Sequence, residues 1–395
     1  MDSKKKGSNL SRRDFVISAA AGLALGDVSR VDAAANKLTL LMEQQGSGNP
    51  SRVIIDTDPG VDDAFALLLA MRSPELKIEA ITAVAGNVPL ELTLPNALRM
   101  AEIAGRTDIP VAGGASAPLA RRLVTAAYAH GENGLGGAVF PEPKITAVTT
   151  PAAEVIRQTV RKFPGQITII TLGPQTNIAT ALTTDPDLAR MVRGLVMMGG
   201  SLSGGNITPA AEFNVYVDPE ASRIVFQSGI PVTMVGLDVT RRTALTEDHF
   251  RDLQRGQNPT SQAAAKIARN AIDHSRARGF TSGPNMHDSL AVAGFIEPSL
   301  LTWRQYYVDV ETVGELTAGE TLGYRPNTDN SKQHPGTETS GSGVAMPIRG
   351  SAPTLASTKT SPVLRDKFVP NANVAVDVDA EKFLALLIGR IVGKP

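Results

Sequence analysis

The chain has 395 residues, which suffices for one large α/β domain or for two smaller ones. Its 39 basic and 39 acidic residues cancel, so the net charge gives no reason to expect a nucleic acid polymer or an acidic membrane surface as a partner. The absence of cysteine excludes disulfides, thiolate metal sites and a cysteine nucleophile.

The first 35 residues resemble an export signal. Residues 4–6 are lysines, and Arg12, Arg13 and Phe15 match a twin-arginine motif. Residues 16–25 form an apolar segment too short to span a bilayer, and residues 33–35 are alanines suited to signal peptidase. The alternative is a basic tail without an export role. We expect a twin-arginine-type signal at 1–35, a spacer at 36–51, and a periplasmic or secreted protein with no stable membrane anchor after cleavage.

The next stretch combines a strand, an acidic turn and a helix. Residues 53–55 are β-branched and predict a buried strand, and residues 64–71 predict an apolar helix. Between them lie four aspartates within eight residues, Asp56, Asp58, Asp62 and Asp63. Carboxylates this close repel one another, so folding implies raised pKa values or a bound cation. With oxygen ligands, Ca²⁺ or Mg²⁺ is favoured over Zn²⁺. The alternative is a solvated turn, with Asp62 or Asp63 as the helix N-cap.

From residue 52 onward, strands and helices alternate, which predicts an α/β fold with an open, mostly parallel sheet covered by helices on both faces. Further strands are predicted at 77–84, 109–111, 167–172, 195–198, 230–235, 305–313 and 372–378. Helices are predicted at 89–104, 151–162, 247–278 and 381–391, after residue 177, and from 286–288. Residues 115–150 and 200–220 are assigned to loops. Residues from about 324 to 361 are rich in Gly, Ser, Thr, Pro and Asn and predict a flexible surface insertion in the domain 52–395.

Several polar or glycine positions come directly after predicted strands: Asp58, Asn87, Gly173, Gly199 and Asp238. In an open parallel sheet, ligands bind outside the carboxyl ends of the strands, so these positions are expected to converge on one crevice. Taken singly, Asn87 could be a turn residue, Asn214 a loop hydrogen-bonder and His287 a polar residue at a helix start. Their shared location favours an active site.

Five short motifs then point to a known family. They are Asp56-Thr57-Asp58-Pro59-Gly60-Val61-Asp62-Asp63-Ala64, Gly86-Asn87, Gly173-Pro174-Gln175-Thr176-Asn177, Glu212-Phe213-Asn214 with Asp218-Pro219-Glu220, and His287-Asp288. On these motifs the chain resembles the inosine–uridine nucleoside hydrolases, from about residue 52 to residue 392 apart from the insertion. The resemblance implies a Rossmann-like fold and an enzyme that hydrolyses the N-glycosidic bond of ribonucleosides to give free base and ribose. It also implies a homo-oligomer, either a dimer or a tetramer.

The resemblance further implies a Ca²⁺ site and a ribose cage. The metal ligands would be Asp58, Asp63, Asp288 and the carbonyl oxygen of Leu172, with the ribose 2′- and 3′-hydroxyls and one water also bound to the metal. Asp58 would act as general base towards that water. The ribose hydroxyls would be held by Asp62, Asn87 and Asn214, and the 5′-hydroxyl by Asn206 and Glu212.

The sequence departs from the family near the leaving base. Family members commonly carry tyrosines in the helix before the His-Asp pair, whereas residues 271–276 here contain none. This leaves the choice between purine and pyrimidine bases open. His287 is the candidate proton donor to the base, because a histidine can be charged near neutral pH. His130 is a second candidate, with a loop-stabilising role as its alternative.

Two other functions fit parts of the sequence. Aspartate-nucleophile phosphatases also begin with a strand and Asp-x-Asp, but they would want a small hydroxyl or Gly-Thr after the second aspartate, where Pro59-Gly60 stand here. An exported nucleoside- or sugar-binding protein would need ribose contacts but no general base. An intact Asp58 and a complete set of metal ligands argue against it.

Overall fold

The computed structural model describes residues 49–279, 283–325 and 369–393. Within these ranges, nine strands form one sheet in the order β3-β2-β1-β4-β5-β6-β9-β7-β8. The strands are β1 Ser51–Thr57, β2 Leu76–Ala83, β3 Val111–Gly113, β4 Thr168–Thr171, β5 Gly194–Met198, β6 Val232–Val235, β7 Leu301–Val310, β8 Thr321–Tyr324 and β9 Ala372–Val378. Strands β1 to β6 and β9 pair in parallel, whereas β7 is antiparallel to both β9 and β8.

Helices connect the strands and cover both faces of the sheet. They are α1 Val61–Met71, α2 Leu90–Ile103, α3 Ala127–His130, α4 Ala152–Lys162, α5 Thr176–Thr184, α6 Leu188–Met191, α7 Phe213–Val217, α8 Pro219–Gln227, α9 Leu237–Thr240, α10 Glu247–Arg255, α11 Pro259–Ala277, α12 His287–Ile296 and α13 Ala380–Val392. None of the helices in the described ranges has the length and apolar character needed to cross a bilayer.

Two large hydrophobic clusters lie on opposite faces of the sheet. Successive side chains of a strand point to opposite faces, and in β1 Val53 and Ile55 join one cluster while Ile54 joins the other. The first cluster packs β1 against Phe65 of α1 and against α11, α12 and α13, and the second packs it against α4, α5 and α8. The open, mostly parallel sheet with helices on both faces is therefore confirmed.

The sheet order places the acidic turn at a point where ligands commonly bind. Strand β1 lies between β2 and β4, so the connection after β1 leads to one side of the sheet and later connections lead to the other. The crevice at such a switch point, outside the carboxyl ends of the strands, is the usual ligand site of this architecture. The loops after β1, β2, β4 and β5 meet there.

The start of α1 differs from the prediction. The N-cap is Gly60, and Asp62 and Asp63 are the second and third helical residues, so the assignment of either as N-cap is wrong. The Asp63 side chain instead accepts a hydrogen bond from the Gly60 N–H (2.9 Å). A Cβ atom at residue 60 would lie 2.4 Å from His130 Nδ1, so only glycine fits this turn. Both carboxylates consequently lie in the first helical turn, where backbone N–H groups favour negative charge.

Other boundaries also differ. The helix predicted at 247–278 is two helices, because Gly256 ends α10 and Asn258 caps α11 by accepting a hydrogen bond from Ser261 N (2.8 Å). The loop predicted at 200–220 contains α7 and the start of α8, each capped by an acidic side chain. The late strand begins at Leu301, four residues before the predicted start, and ends at Val310. The predicted signal at 1–35, most of the spacer and nearly all of the insertion at 324–361 lie outside the described residues.

Candidate active site

A pocket with a volume of about 130 Å³ opens at the carboxyl ends of the central strands. Every predicted site residue except Asp58 and Asp63 lines it: Asp62, Asn87, His130, Leu172, Asn206, Glu212, Asn214, His287 and Asp288. These residues come from six connections spread over more than 200 positions of the chain. The parallel sheet brings them together, as expected from their location after strands.

Three carboxylates form the acidic centre of this pocket. Asp62, Asp63 and Asp288 each offer an oxygen, and these oxygens all lie within 4.8 Å of one another. Asp63 is fully buried and is fixed by three donors: Thr57 Oγ1 (2.6 Å), Gly60 N (2.9 Å) and Asn87 Nδ2 (2.9 Å). The tight group thus contains Asp62 in addition to two of the three aspartates predicted as metal ligands.

Asp58 lies fully buried next to this group. Its Oδ2 accepts a hydrogen bond from Asn87 N (2.7 Å), whereas its Oδ1 has no hydrogen-bond partner among the described residues. Two glycines make room for the carboxylate, since a Cβ at Gly86 would lie 2.1 Å from Oδ2 and a Cβ at Gly173 2.4 Å from Oδ1. A buried carboxylate oxygen without a partner is costly and needs a cation or a water to satisfy it.

The electrostatics of the aspartates are those of a site that lacks positive charge. Burial, followed by the neighbouring carboxylates, raises the pKa values of Asp58 and Asp288 well above the usual range and that of Asp62 to about 7. A cation among these groups would favour their charged forms. All the candidate metal ligands are carboxylate or carbonyl oxygens, which fits a hard divalent cation such as Ca²⁺ or Mg²⁺.

Leu172 and Asn214 lie on the same side of the pocket. The Asn214 side-chain amide donates to the Leu172 carbonyl oxygen (2.8 Å) and to the Met198 carbonyl oxygen (3.2 Å). This contact places the predicted carbonyl ligand at the pocket surface, after β4. It also fixes the orientation of the Asn214 amide, whose Nδ2 donates to both carbonyl oxygens and whose Oδ1 can accept a hydrogen bond from a ligand.

Glu212 and Asn206 shape the loop that closes the pocket. Glu212 is the N-cap of α7, and its carboxylate accepts from Asn214 N (2.9 Å), Val215 N (3.1 Å) and Gly200 N (2.9 Å). Burial raises the pKa of Glu212 in spite of these donors. Asn206 Oδ1 accepts from Phe213 N (2.9 Å), which ties the exposed loop to the start of the same helix. Glu212 and Asn206 therefore stabilise this loop in addition to lining the pocket.

The two histidines lie at the pocket wall, where burial disfavours their charged forms although His130 Nδ1 is 3.8 Å from Asp62 Oδ1. Nδ1 of His130 accepts from Val61 N (3.1 Å), and burial lowers the pKa of His130 to about 4. Nδ1 of His287 lies 2.7 Å from Thr240 Oγ1, and burial, with smaller contributions from His130 and Arg241, lowers the pKa of His287 to about 3. The charged imidazolium expected from the sequence is thus disfavoured at both positions before substrate binds.

Comparison with known proteins decides the family. A family model described as "Inosine-uridine preferring nucleoside hydrolase" matches residues 53–385. The chain belongs to this family. The nucleoside hydrolase is 46% identical over 272 residues to the pyrimidine-specific ribonucleoside hydrolase RihA of Citrobacter koseri, covering 68% of this chain and 87% of that one. It is 41% identical over 345 residues to RihA of Shigella boydii, covering 86% and 97% respectively.

Solved structures agree with the sequence relatives. A plant nucleoside hydrolase superposes with a TM-score of 0.73 at 33% identity, covering 87% of this nucleoside hydrolase and 99% of the plant chain. A purine-preferring ribonucleoside hydrolase from Gardnerella vaginalis gives a TM-score of 0.73 at 29% identity, covering 87% and 98%. The predicted family, its Rossmann-like fold and an enzyme that hydrolyses N-glycosyl bonds are confirmed.

Five residues of the nucleoside hydrolase pocket were missed by sequence reasoning: Ala126, Tyr128, Ala129, Met198 and Phe213. Met198 and Phe213 are direct neighbours of positions that had been singled out, Gly199 and Glu212 with Asn214. Ala126, Tyr128 and Ala129 belong to residues 115–150, which had been assigned to a loop. The one available signal was their closeness to His130 in the chain.

Proposed function

We propose that this nucleoside hydrolase cleaves ribonucleosides with the help of a tightly bound divalent cation, Ca²⁺, in the acidic centre of the pocket. Two neighbouring features carry the proposal. Carboxylate oxygens of Asp62, Asp63 and Asp288 lie within 4.8 Å of one another, and the buried Asp58 Oδ1 has no hydrogen-bond partner in the described structure. Asp58, Asp63, Asp288 and the Leu172 carbonyl would hold the ion. When bound, the cation supplies a fixed positive charge that lowers the pKa of the attacking water.

Asp58 is the proposed general base. Its carboxylate is aligned by the Asn87 N–H on Oδ2, which leaves Oδ1 to accept a proton from the water. Gly86 and Gly173 lie against its two oxygens, so closely that a Cβ atom at either position would clash with the carboxylate. Proton transfer to a positioned base accelerates such reactions by roughly 10²–10⁴-fold.

The remaining polar groups are proposed to hold the ribose. Asp62, Asn87 and Asn214 would bind the ring hydroxyls, while Asn206 and Glu212 would bind the 5′-hydroxyl. Positive charge develops on the ribose ring as the glycosidic bond breaks, and nearby carboxylates stabilise that charge. Binding energy from the hydroxyls can therefore be used in the transition state rather than in the ground state.

His287 is the proposed hydrogen-bond donor to the leaving base. Nδ1 of His287 lies 2.7 Å from the Thr240 hydroxyl, and we assign the hydroxyl as the donor, so that the neutral imidazole would carry its hydrogen on Nε2 and offer it to the base. This form differs from the charged acid suggested by the sequence. A neutral donor stabilises the negative charge that builds up on the base without a prior proton uptake. His130, whose Nδ1 already accepts from Val61 N, is assigned to holding the turn before α1 and to the pocket wall.

We propose pyrimidine ribonucleosides as the preferred substrates. The supporting observation is the printed name of the RihA relatives, which match this chain at 41–46% identity, above the 29% of the purine-preferring structure. Sequence identity over most of the domain favours a shared base preference.

The test is a panel of nucleosides incubated with purified protein before and after chelator treatment. Free ribose should be released from uridine and cytidine faster than from inosine, activity should be lost with the metal, and added Ca²⁺ should restore it better than Mg²⁺.

A second readout is independent of turnover: Ca²⁺ should raise the midpoint temperature of thermal unfolding, because it binds only the folded state. Asp63→Asn should abolish this shift, whereas Asp252→Asn on the surface should retain it. Binding of uridine without ribose release would identify a binding protein, and unchanged activity after metal removal would refute the cation.

Export and assembly are separate proposals that follow from the sequence. We propose that residues 1–35 direct the protein through the twin-arginine route and that the mature protein forms a dimer or tetramer. A reporter fused to residues 1–40 should be exported, and the pair of changes Arg12→Lys and Arg13→Lys should stop it. A monomeric molar mass of the mature protein in light scattering would refute the proposed dimer or tetramer.

A further inference from the structure

The mouth of the pocket carries one aromatic side chain that no assigned role uses. Tyr128 lies in the short helix α3, lines the pocket and leaves 51% of its surface exposed. The other aromatic lining residue in the described structure, Phe213, is only 6% exposed because it packs with Ala126 and Val217 in a small hydrophobic cluster. Tyr128 therefore offers the larger free aromatic surface of the two.

Contacts with the end of α11 hold Tyr128 in place. Its carbonyl oxygen lies 2.8 Å from His274 Nε2 and accepts a hydrogen bond from Arg278 Nη1 (3.1 Å). The Arg278 guanidinium also lies over the Tyr128 ring, 5.5 Å from its centroid, a cation–π contact. The backbone of this segment is fixed from the other side, since Ala126 N donates to the Asn87 carbonyl oxygen (2.9 Å). Tyr128 is thus attached both to the ribose side of the pocket and to α11.

The lining divides by chemistry. Its carboxylates and amides suit a polyhydroxylated sugar, whereas the segment from Ala126 to His130, together with Phe213, presents methyl groups and aromatic rings. A planar heterocyclic base needs a ring or an apolar surface to stack against. Residues 271–276, the part of α11 that precedes Arg278, contain no tyrosine, phenylalanine or tryptophan.

We infer that Tyr128 is the residue against which the nucleoside base stacks, and that His274 and Arg278 are positioning residues that set the angle and depth of its ring. This inference rests on the proposed function and deepens it. The Tyr128 contact recognises the flat face of the base, independently of the proposed hydrogen bond from His287 to its edge, so both uracil and hypoxanthine should use it. Loss of the ring should weaken substrate binding more than it slows bond cleavage.

The experiment compares Tyr128→Ala and Tyr128→Phe with the wild-type enzyme on uridine and inosine. Loss of base stacking on an aromatic side chain typically weakens binding by about tenfold or more, so KM should rise about tenfold in Tyr128→Ala while kcat changes much less. Tyr128→Phe should keep the wild-type KM, because the ring remains. The inhibition constant of free ribose, which has no base, should stay within about twofold. Tyr324→Ala, at the far edge of the sheet, serves as a matched loss of an exposed tyrosine and should change none of these values.

The positioning role has its own readout. His274→Ala should raise KM for nucleosides less than Tyr128→Ala does, and the double variant should equal Tyr128→Ala alone, because both changes act on the same ring. The inference is overturned if Tyr128→Ala keeps the wild-type KM, if Tyr128→Phe is as impaired as Tyr128→Ala, or if ribose inhibition weakens as much as nucleoside binding. Failure of the proposed function would look different, since the wild-type enzyme itself would then release no ribose from any nucleoside.

Discussion

Gly86→Ala is a test of whether the position of the Asp58 carboxylate limits catalysis. A Cβ at residue 86 would lie 2.1 Å from Asp58 Oδ2 and 2.8 Å from its Cγ, whereas real contacts of this kind stay above 3.0 Å. The two groups must therefore separate by about 0.9 Å. Backbone strain adds nothing to this effect, because Gly86 does not have a positive φ. The displaced carboxylate also pulls on the hydrogen bond from Asn87 N, the next residue.

The expected loss follows from this distance. Misplacement of a reacting group by about 1 Å can cost roughly 10²-fold in rate, so kcat for uridine should fall about 100-fold. Overpacking at a tight site should lower the free energy of unfolding by roughly 1–3 kcal/mol, which leaves the protein folded at 25 °C. The assay is ribose release under saturating substrate, with circular dichroism and urea unfolding as the check on the fold.

Gly389→Ala is the matched control. A Cβ at this position in α13 meets no atom within 4 Å, so the same chemical change should leave kcat intact and should stabilise the helix by about 1 kcal/mol. A folded Gly86→Ala variant with wild-type kcat would refute the reasoning, because it would show that Asp58 need not occupy the observed position. Loss of activity together with loss of the folded state would instead place Gly86 among residues required for folding, and Gly173→Ala would then repeat the test from the Oδ1 side.

Three further predictions follow from the same site and its supports. Asp58→Asn should lower kcat by roughly 10²-fold or more with the fold retained, and more than about a tenth of wild-type activity would contradict the general-base role. His287→Ala should slow uridine and inosine hydrolysis by at least about tenfold while sparing a nitrophenyl riboside, whose leaving group needs no donor; equal losses on all three would assign His287 to support of the metal site. Asp218, buried beside Thr176 and Leu119, has its pKa raised to about 6 by burial. Because the folded state binds this proton more tightly, Asp218 contributes stability that is fully present only below pH 3.8 and is lost as the pH rises through 6. The unfolding free energy of the wild type relative to Asp218→Asn should therefore fall by about 2.4 kcal/mol between pH 4 and pH 8. A constant difference across urea titrations at these pH values would refute the shift.

Much of the site could be predicted from sequence because parallel sheets impose a simple rule. Residues in the connections that leave the carboxyl ends of parallel strands must meet at one edge, and Asn87, Leu172 and Asn214 do so although they are far apart in the chain. The strand predicted at 372–378 has the observed bounds, because its apolar run is flanked by clear turn residues. In this strand the local sequence pattern and the global fold favour the same structure, so its bounds could be predicted.

The missed features depend on contacts that no local pattern encodes. Tyr128 reaches the pocket because the backbone of Ala126 is bound to Asn87 and that of Tyr128 to the end of α11, about 150 residues away. The split of the helix at 247–278 was a different kind of error, since Gly256 and Asn258-Pro259 are ordinary stop and start signals that were overlooked. The N-cap of α1 was displaced by tertiary packing of His130 against Gly60, which a single sequence does not reveal.

The four aspartates of the opening turn show why residue type alone is an incomplete guide. Asp56 is fully buried and uses one oxygen to accept from Thr82 Oγ1 and Asn177 Nδ2 (2.8 Å), so it joins β1, β2 and α5, and burial raises its pKa to about 7. Asp63 is held by three donors, and Asp62 lines the pocket. Asp56 and Asp58 each keep one buried oxygen without a partner among the described residues, but only Asp58 has the carboxylates of Asp62 and Asp63 as charged neighbours. The same residue type therefore serves as a support, as a fixed ligand candidate, as a base candidate and as a candidate for substrate contact. Each of these places follows from the hydrogen-bond donors, the neighbouring carboxylates and the access to the pocket that the fold, and not the motif, gives each side chain.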